Sequence, residues 1–161
     1  MDCSCERCQH FCHNKPGWFT PDQIRPLADL LGMAIDELFR RYLTIDTVLL
    51  GDGRSTKAIY VLAPAINGRN NGSISQPTDR GTCIWFKDGG CGIHAAKPLE
   101  CRLADHTTTR DSSNRLRASI LAKWVSQKQI VQDLYKKKLK PPQALKRASQ
   151  QARSLRREAS R

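Results

Sequence analysis

Aromatic residues are scarce. They make up 6% of the 161-residue chain, and hydrophobic residues as a whole reach 39%. That supply suits a small core, one that a metal staple would help. Long apolar runs are missing: none approaches the roughly 20 residues that a membrane-crossing helix needs. The first residues, Met1-Asp2-Cys3-Ser4-Cys5-Glu6, lack the basic and then apolar pattern of a secretion signal. The expected location is therefore cytoplasmic, where thiols stay reduced and clustered cysteines bind metal or do redox chemistry more often than they pair. No Gly-rich nucleotide loop is present, and with four histidines no Ser/His/Asp arrangement can be read. Carboxylates are few near the cysteines, which argues against magnesium or calcium.

Cysteine itself is absent between Cys12 and Cys83 and after Cys101. All seven cysteines fall in two stretches, and an odd number excludes complete disulfide pairing within one chain. The first stretch reads Cys3-Ser4-Cys5-Glu6-Arg7-Cys8-Gln9-His10-Phe11-Cys12-His13. The Cys5-x2-Cys8 spacing lets two thiolates reach one ion, as in zinc knuckles and iron–sulfur loops. The Cys8-x3-Cys12 spacing suits one helical turn with both sulfurs on one side. His10 and His13 are read as solvated, since sulfur is at hand. The second stretch runs from Cys83 to Arg102. Cys83-Ile84-Trp85-Phe86 reads as a short strand, and Asp88-Gly89-Gly90 as a tight turn that returns the chain to Cys91. Gly92 beside Cys91 would let backbone approach a metal site closely. Lys97-Pro98 imposes an extended step before Cys101. Arg102 either offsets thiolate charge or faces solvent. Two distant groups of thiols imply one site closed by bringing the ends of a domain together.

The remaining chain reads as scaffold. Thr20-Pro21-Asp22-Gln23 combines an N-cap, a proline at the first helical position and a capping-box glutamine. Ile24, Leu27, Ala28 and Leu31 follow at helical spacing, and Gly32 closes the helix. Ile35, Leu38, Phe39 and Tyr42 form one face of a second helix, giving a helical hairpin. Thr44–Leu50 and Lys57–Ala63 read as a β-hairpin around Gly51–Ser55. Asn67–Ser73 reads as a mobile polar surface loop. Asp111-Ser112-Ser113-Asn114 starts a long amphipathic helix from about Ser113 to Lys138, with Trp124 as its core anchor. Pro141-Pro142 ends helical character, and a further helix over Gln143–Ser160 would carry Lys146, Arg147, Arg153, Arg156 and Arg157.

The sequence Cys91-Gly92-Ile93-His94-Ala95-Ala96-Lys97-Pro98-Leu99-Glu100-Cys101-Arg102, with Cys5-x2-Cys8 upstream and the Thr20–Ile24 helix start between them, resembles the zinc- or iron-chelating CxxCxxCC family, the YkgJ-like cysteine-cluster proteins. The resemblance covers about residues 3–135. His94 stands where the family commonly has tyrosine, and Lys97 where it has arginine. With Cys5, Cys8 and Cys12 aligned, Phe11 stands where the family has the first of two adjacent cysteines, and Cys3 is an additional thiol. The resemblance implies a metal or iron–sulfur centre without implying a particular reaction. Related motifs occur in flagellin lysine methylases.

The expected fold is α+β and mostly helical. Residues 1–138 would form a cysteine-clamped metal domain with a helical hairpin, a β-hairpin and a long C-terminal helix, and residues 139–161 a basic extension. The candidate ligands are Cys5, Cys8, Cys12, Cys83, Cys91 and Cys101, with Cys3 in reserve. The expected cofactor is Zn2+ or, alternatively, a 4Fe–4S cluster, because thiolates favour both. Whether the chain is an enzyme stays open. His94 and Asp105-His106 are the only acid–base candidates near the second stretch, and a redox or transfer enzyme is one alternative. The charge suggests another. Residues 1–109 hold twelve Lys/Arg and twelve Asp/Glu, whereas residues 110–161 hold fifteen and three, so the net +12 lies wholly in the C-terminal third. A basic segment at 136–161 is a candidate for salt-sensitive contact with nucleic acid.

Overall fold

A computed structural model of the chain describes residues 9–51, 57–76, 78–103 and 108–135. Among them the architecture is α+β, with six α-helices and two antiparallel hairpins. Strand β1 (Leu43–Leu50) pairs antiparallel with β2 (Lys57–Pro64), from Leu43 opposite Pro64 to Leu50 opposite Lys57. This is the expected hairpin, although most of its turn, residues 52–56, lies outside the described residues. The base of the hairpin is the buried end: Leu43, Ile45, Val61 and Leu62 are fully enclosed.

Backbone from elsewhere covers both edges there, which removes the open donors and acceptors an edge strand exposes. The Phe19 N–H donates to the Leu62 carbonyl at 2.9 Å on the β2 side. On the β1 side Ile45 takes the Ser73 carbonyl at 2.9 Å, and the Gly72 and Ser75 N–H groups donate to Leu43 and Ile45, both at 2.8 Å. The polar stretch 67–73 therefore differs from the mobile loop its composition suggests. It is laced to β1, and Asn70 is buried with its side-chain oxygen accepting the Ile66 N–H at 2.7 Å. Asparagine rescues a backbone group there that the sheet does not reach.

The helical hairpin is also present. A 3-10 turn at Pro21–Gln23 leads into α2 (Ile24–Leu30), and α3 (Ile35–Tyr42) follows. The Gly32 and Met33 N–H groups donate to Asp29 and Ala28, the paired bonds of a Schellman cap. Leu27, Leu38 and Phe39 face the core, and Tyr42 stacks on Trp85 with ring centroids 5.5 Å apart.

The long C-terminal helix is two helices. Helix α5 (Arg110–Ser126) starts three residues before the expected Ser113, capped by Thr109, whose side chain accepts the Ser112 N–H at 3.2 Å. It stops at Gln127, and α6 (Lys128–Tyr135) follows. The Ser126 hydroxyl donates to the Lys123 carbonyl at 2.8 Å, a local bond that competes with the helical ladder. Trp124 is the expected anchor: it is fully buried, and its Nε1–H donates to the Phe19 carbonyl at 2.8 Å. Both α5 and α6 pack on β2. No helix of the described residues is long and apolar enough to cross a membrane. The basic extension at 139–161 lies outside the described residues.

Candidate metal centre

Four of the seven cysteines are described, each on a separate short segment, and all four are free thiols. Cys12 lies in the one-turn helix α1 (His10–His13). Cys83 follows it across a backbone bond, the Cys83 N–H donating to the Cys12 carbonyl at 2.8 Å. The same residue bridges to Ile66, so its position is set from two sides. Cys91 ends the second hairpin, in which β3 (Phe86–Lys87) pairs with β4 (Gly90–Cys91), Phe86 opposite Cys91. The strand read at Cys83–Phe86 is thus confined to its end. Asp88 and Gly89 form the two-residue turn with φ of 48° and 75°. Positive φ at both positions is what a type I′ turn requires, and Asp-Gly supplies it at low steric cost. Cys101 sits on α4 (Leu99–Leu103).

The thiols of these segments feel one another's charge. Burial pushes Cys83 up to about 12, with further elevation from Cys12 and Cys91, while the Trp85 and Phe86 N–H groups donate to its sulfur and pull the other way. Burial also raises Cys101 far above the ordinary thiol range; the Gly17 N–H opposes this, and Glu100, Cys83 and Cys12 add to it. Cys12 is raised by burial and by Cys91, against the ammonium of Lys97. Four chain segments therefore bring their thiols within electrostatic reach, and the N–H groups aimed at two of the sulfurs would stabilise thiolates. Ligation demands closer approach. Zinc–sulfur bonds of about 2.3 Å put tetrahedral sulfurs roughly 4 Å apart. Among the described residues no three His, Cys, Asp or Glu side chains stand close enough to hold an ion. Cys3, Cys5 and Cys8 lie outside the described residues. The donor chemistry fits a soft cation: sulfur from several segments, N–H groups directed at sulfur, and an ammonium to offset negative charge.

The other candidates have ordinary partners. His13 packs edge-on against Phe86, ring centroids 4.5 Å apart, and His10 lies edge-on to Phe11 at 5.9 Å. His94 Nε2 lies 3.4 Å from Lys97 Nζ. Arg102 is exposed and reaches the Ala95 carbonyl, so Lys97 is the cation that acts on a thiol. Gly92 faces the Trp85 carbonyl, to which its own N–H donates at 2.8 Å, so the close backbone approach expected there is to the hairpin. Asp105-His106 lie outside the described residues.

Several positioning residues carry no motif that would betray them. Gln23 was readable as a cap, and its Oε1 does accept the Thr20 N–H at 3.0 Å. The same oxygen also accepts the Leu99 N–H at 3.0 Å, and its Nε2 donates to the Lys97 carbonyl at 3.1 Å. Gln23 thereby fastens the extended Lys97-Pro98 step that precedes Cys101. Asp46 and Glu100 are each only 2% exposed. Asp46 accepts from Lys15 at 2.9 Å, from the Trp18 indole at 2.8 Å and from the Thr47 N–H at 3.0 Å. Glu100 accepts the Trp18 backbone N–H at 2.8 Å and Arg117 Nε at 2.5 Å. An acid flanked by Leu99 and Cys101 is the one local signal that could have revealed Glu100.

No family model, curated protein or solved structure matches the chain. The resemblance to the CxxCxxCC proteins rests on the Cys5-x2-Cys8, Thr20–Ile24 and Cys91–Arg102 motifs alone.

Proposed function

We propose that this chain is a metal-binding cysteine-cluster protein of the YkgJ-like kind, working in a reducing compartment such as the cytoplasm. Its metal would be held by thiolates of Cys12, Cys83, Cys91 and Cys101 together with Cys5 and Cys8, and Cys3 in reserve. The observation that carries this reading is that four free thiols come from four segments, with Cys83 bonded through its backbone to Cys12, the charges of Cys12 and Cys91 acting on Cys83, those of Cys83 and Cys12 on Cys101, and that of Cys91 on Cys12. Backbone N–H groups act on the sulfurs of Cys83 and Cys101, and a soft cation in place of their protons would turn each donor into a stabilising contact. Zn2+ would supply a fixed tetrahedral link between segments, and a 4Fe–4S cluster would add one-electron chemistry.

The test is elemental analysis with a visible absorption spectrum, on protein purified without oxygen and without a metal-affinity column. Stoichiometric zinc and no colour selects the zinc form. A brown protein containing iron and acid-labile sulfide selects the cluster and opens the redox or transfer-enzyme alternative. Cys91→Ser is expected to lower the metal content. Protein free of metal after anaerobic purification, and unable to take up zinc or iron and sulfide, overturns the proposal.

A further inference from the structure

Glu100 is nearly inaccessible although its side chain is a carboxyl group, and its neighbour in sequence is Cys101. Burying a carboxylate is costly unless its oxygens are satisfied. Here each oxygen has a partner on a different element. Oε2 accepts the Trp18 N–H at 2.8 Å, and Oε1 accepts Arg117 Nε of α5 at 2.5 Å. The Arg117 guanidinium also lies over the Trp18 ring, 5.4 Å from its centroid, and the Glu100 N–H points back at the Trp18 carbonyl at 3.5 Å. The Gly17–Trp18 backbone is thus pinned against α4.

Gly17 shows how tight the pinning is. A Cβ added there would stand 2.9 Å from the Cys101 sulfur and 3.0 Å from Glu100 Cβ. Only glycine permits that approach, and it is what brings the Gly17 N–H to the sulfur of Cys101. We propose that Glu100 is the positioning residue of the thiol centre, its carboxylate holding the Gly17–Trp18 backbone so that the Gly17 N–H caps the Cys101 sulfur. This deepens the metal-binding reading and rests on it for its purpose, since an N–H donor to sulfur matters most when the sulfur is a metal-bound thiolate. The carboxylate acts through Gly17 and touches no ligand itself. Arg117 offsets its negative charge beside the thiol.

The experiment compares Glu100→Ala and Glu100→Gln with the wild type in two ways. On metal-free protein, iodoacetamide alkylation is followed cysteine by cysteine by peptide mass spectrometry. Glu100→Ala is expected to speed alkylation of Cys101 about tenfold relative to Cys83, because releasing the Gly17–Trp18 backbone uncovers a buried sulfur, and this outweighs the loss of the N–H that favours its thiolate. Glu100→Gln, which still offers an oxygen to the Trp18 N–H, is expected to return toward the wild-type ratio. On loaded protein, zinc affinity measured against a competing chelator is expected to fall about tenfold in Glu100→Ala, the usual scale for an outer partner of a metal ligand. A merely structural role would speed Cys83 and Cys101 together. An unchanged Cys101 to Cys83 ratio in folded Glu100→Ala overturns the proposal. If that variant does not fold, Arg117→Met, at a half-exposed position, decides by the same ratio, which should rise. A wild-type protein that takes up neither zinc nor iron and sulfide overturns the metal reading while the alkylation ratio still judges Glu100.

Discussion

Raising the pH should weaken the metal-free protein, and the share due to Cys83 can be isolated. Burial pushes the Cys83 thiol from its ordinary value near 9 up to about 12, and the charges of Cys12 and Cys91 act in the same direction. Folded Cys83 therefore keeps its proton at pH values where the unfolded chain has lost it. Between pH 9 and about 12 the unfolded state binds fewer protons, so stability falls as pH rises through that window and is unaffected below it. The whole span is worth about 4 kcal/mol for this one thiol, and about 1.4 kcal/mol of it is lost by pH 10. The assay is urea unfolding of chelator-treated, reduced protein at pH 7.5 and pH 10, for wild type and for Cys83→Ala. Other titrating groups contribute to both proteins and cancel in the comparison. The wild type is expected to lose about 1.4 kcal/mol more than the variant between the two pH values. Metal-loaded wild type should not show this extra loss, because its sulfur is already a thiolate. Equal losses in metal-free wild type and Cys83→Ala would refute the reasoning, since they would mean that Cys83 is not held protonated by the fold.

Two further outcomes are expected. Gly89→Ala places a side chain where φ is 75° but where nothing lies within 4 Å, so the cost is purely conformational, about 1–2 kcal/mol; thermal melting should show a drop of a few degrees, and zinc affinity should fall because Cys91 follows directly on the turn. Deleting residues 140–161 should abolish salt-dependent retention on a nucleic-acid column, and identical retention of the full and shortened chains would remove the basic tail from consideration as a nucleic-acid contact.

What was legible in the sequence was whatever local chemistry decides. The β-hairpin follows from β-branched runs around a turn, and the helical pair from apolar spacing closed by Gly32. Asp88-Gly89 reads as the turn that it is. Two features misled for a physical reason. Asn67–Ser73 looks like a solvated loop because its residues are polar, but its end pairs through the backbone with β1, and Asn70 satisfies the Ile66 N–H from a buried position. The apolar spacing from Leu116 to Leu134 continues straight through Gln127, so periodicity alone could not reveal the break there. Of the candidate site, the cysteines were plain and their supports were not. Gln23, Asp46 and Glu100 act through contacts 17 to 82 positions away in the chain, and no local pattern encodes such pairings.

Those supports bear on how the thiols and the fold depend on each other. Phe19, Leu27, Leu38, Ile45 and Trp124 are completely enclosed, and Cys83 belongs to the same core. A chain of charged contacts ties the helix of Cys101 to β1, Lys15 to Asp46, Asp46 to the Trp18 indole, the Trp18 backbone to Glu100, and Glu100 to Arg117. Each buried carboxylate in it has partners on both oxygens, the condition under which a buried charge specifies an arrangement instead of merely costing energy. Cys83 is therefore held by the core and the helix of Cys101 by the charged frame, with no cation needed for either. A frame of this kind favours a pre-positioned half-site, built by folding and completed by the other thiols, over a zinc-finger arrangement in which the metal itself supplies the folding energy.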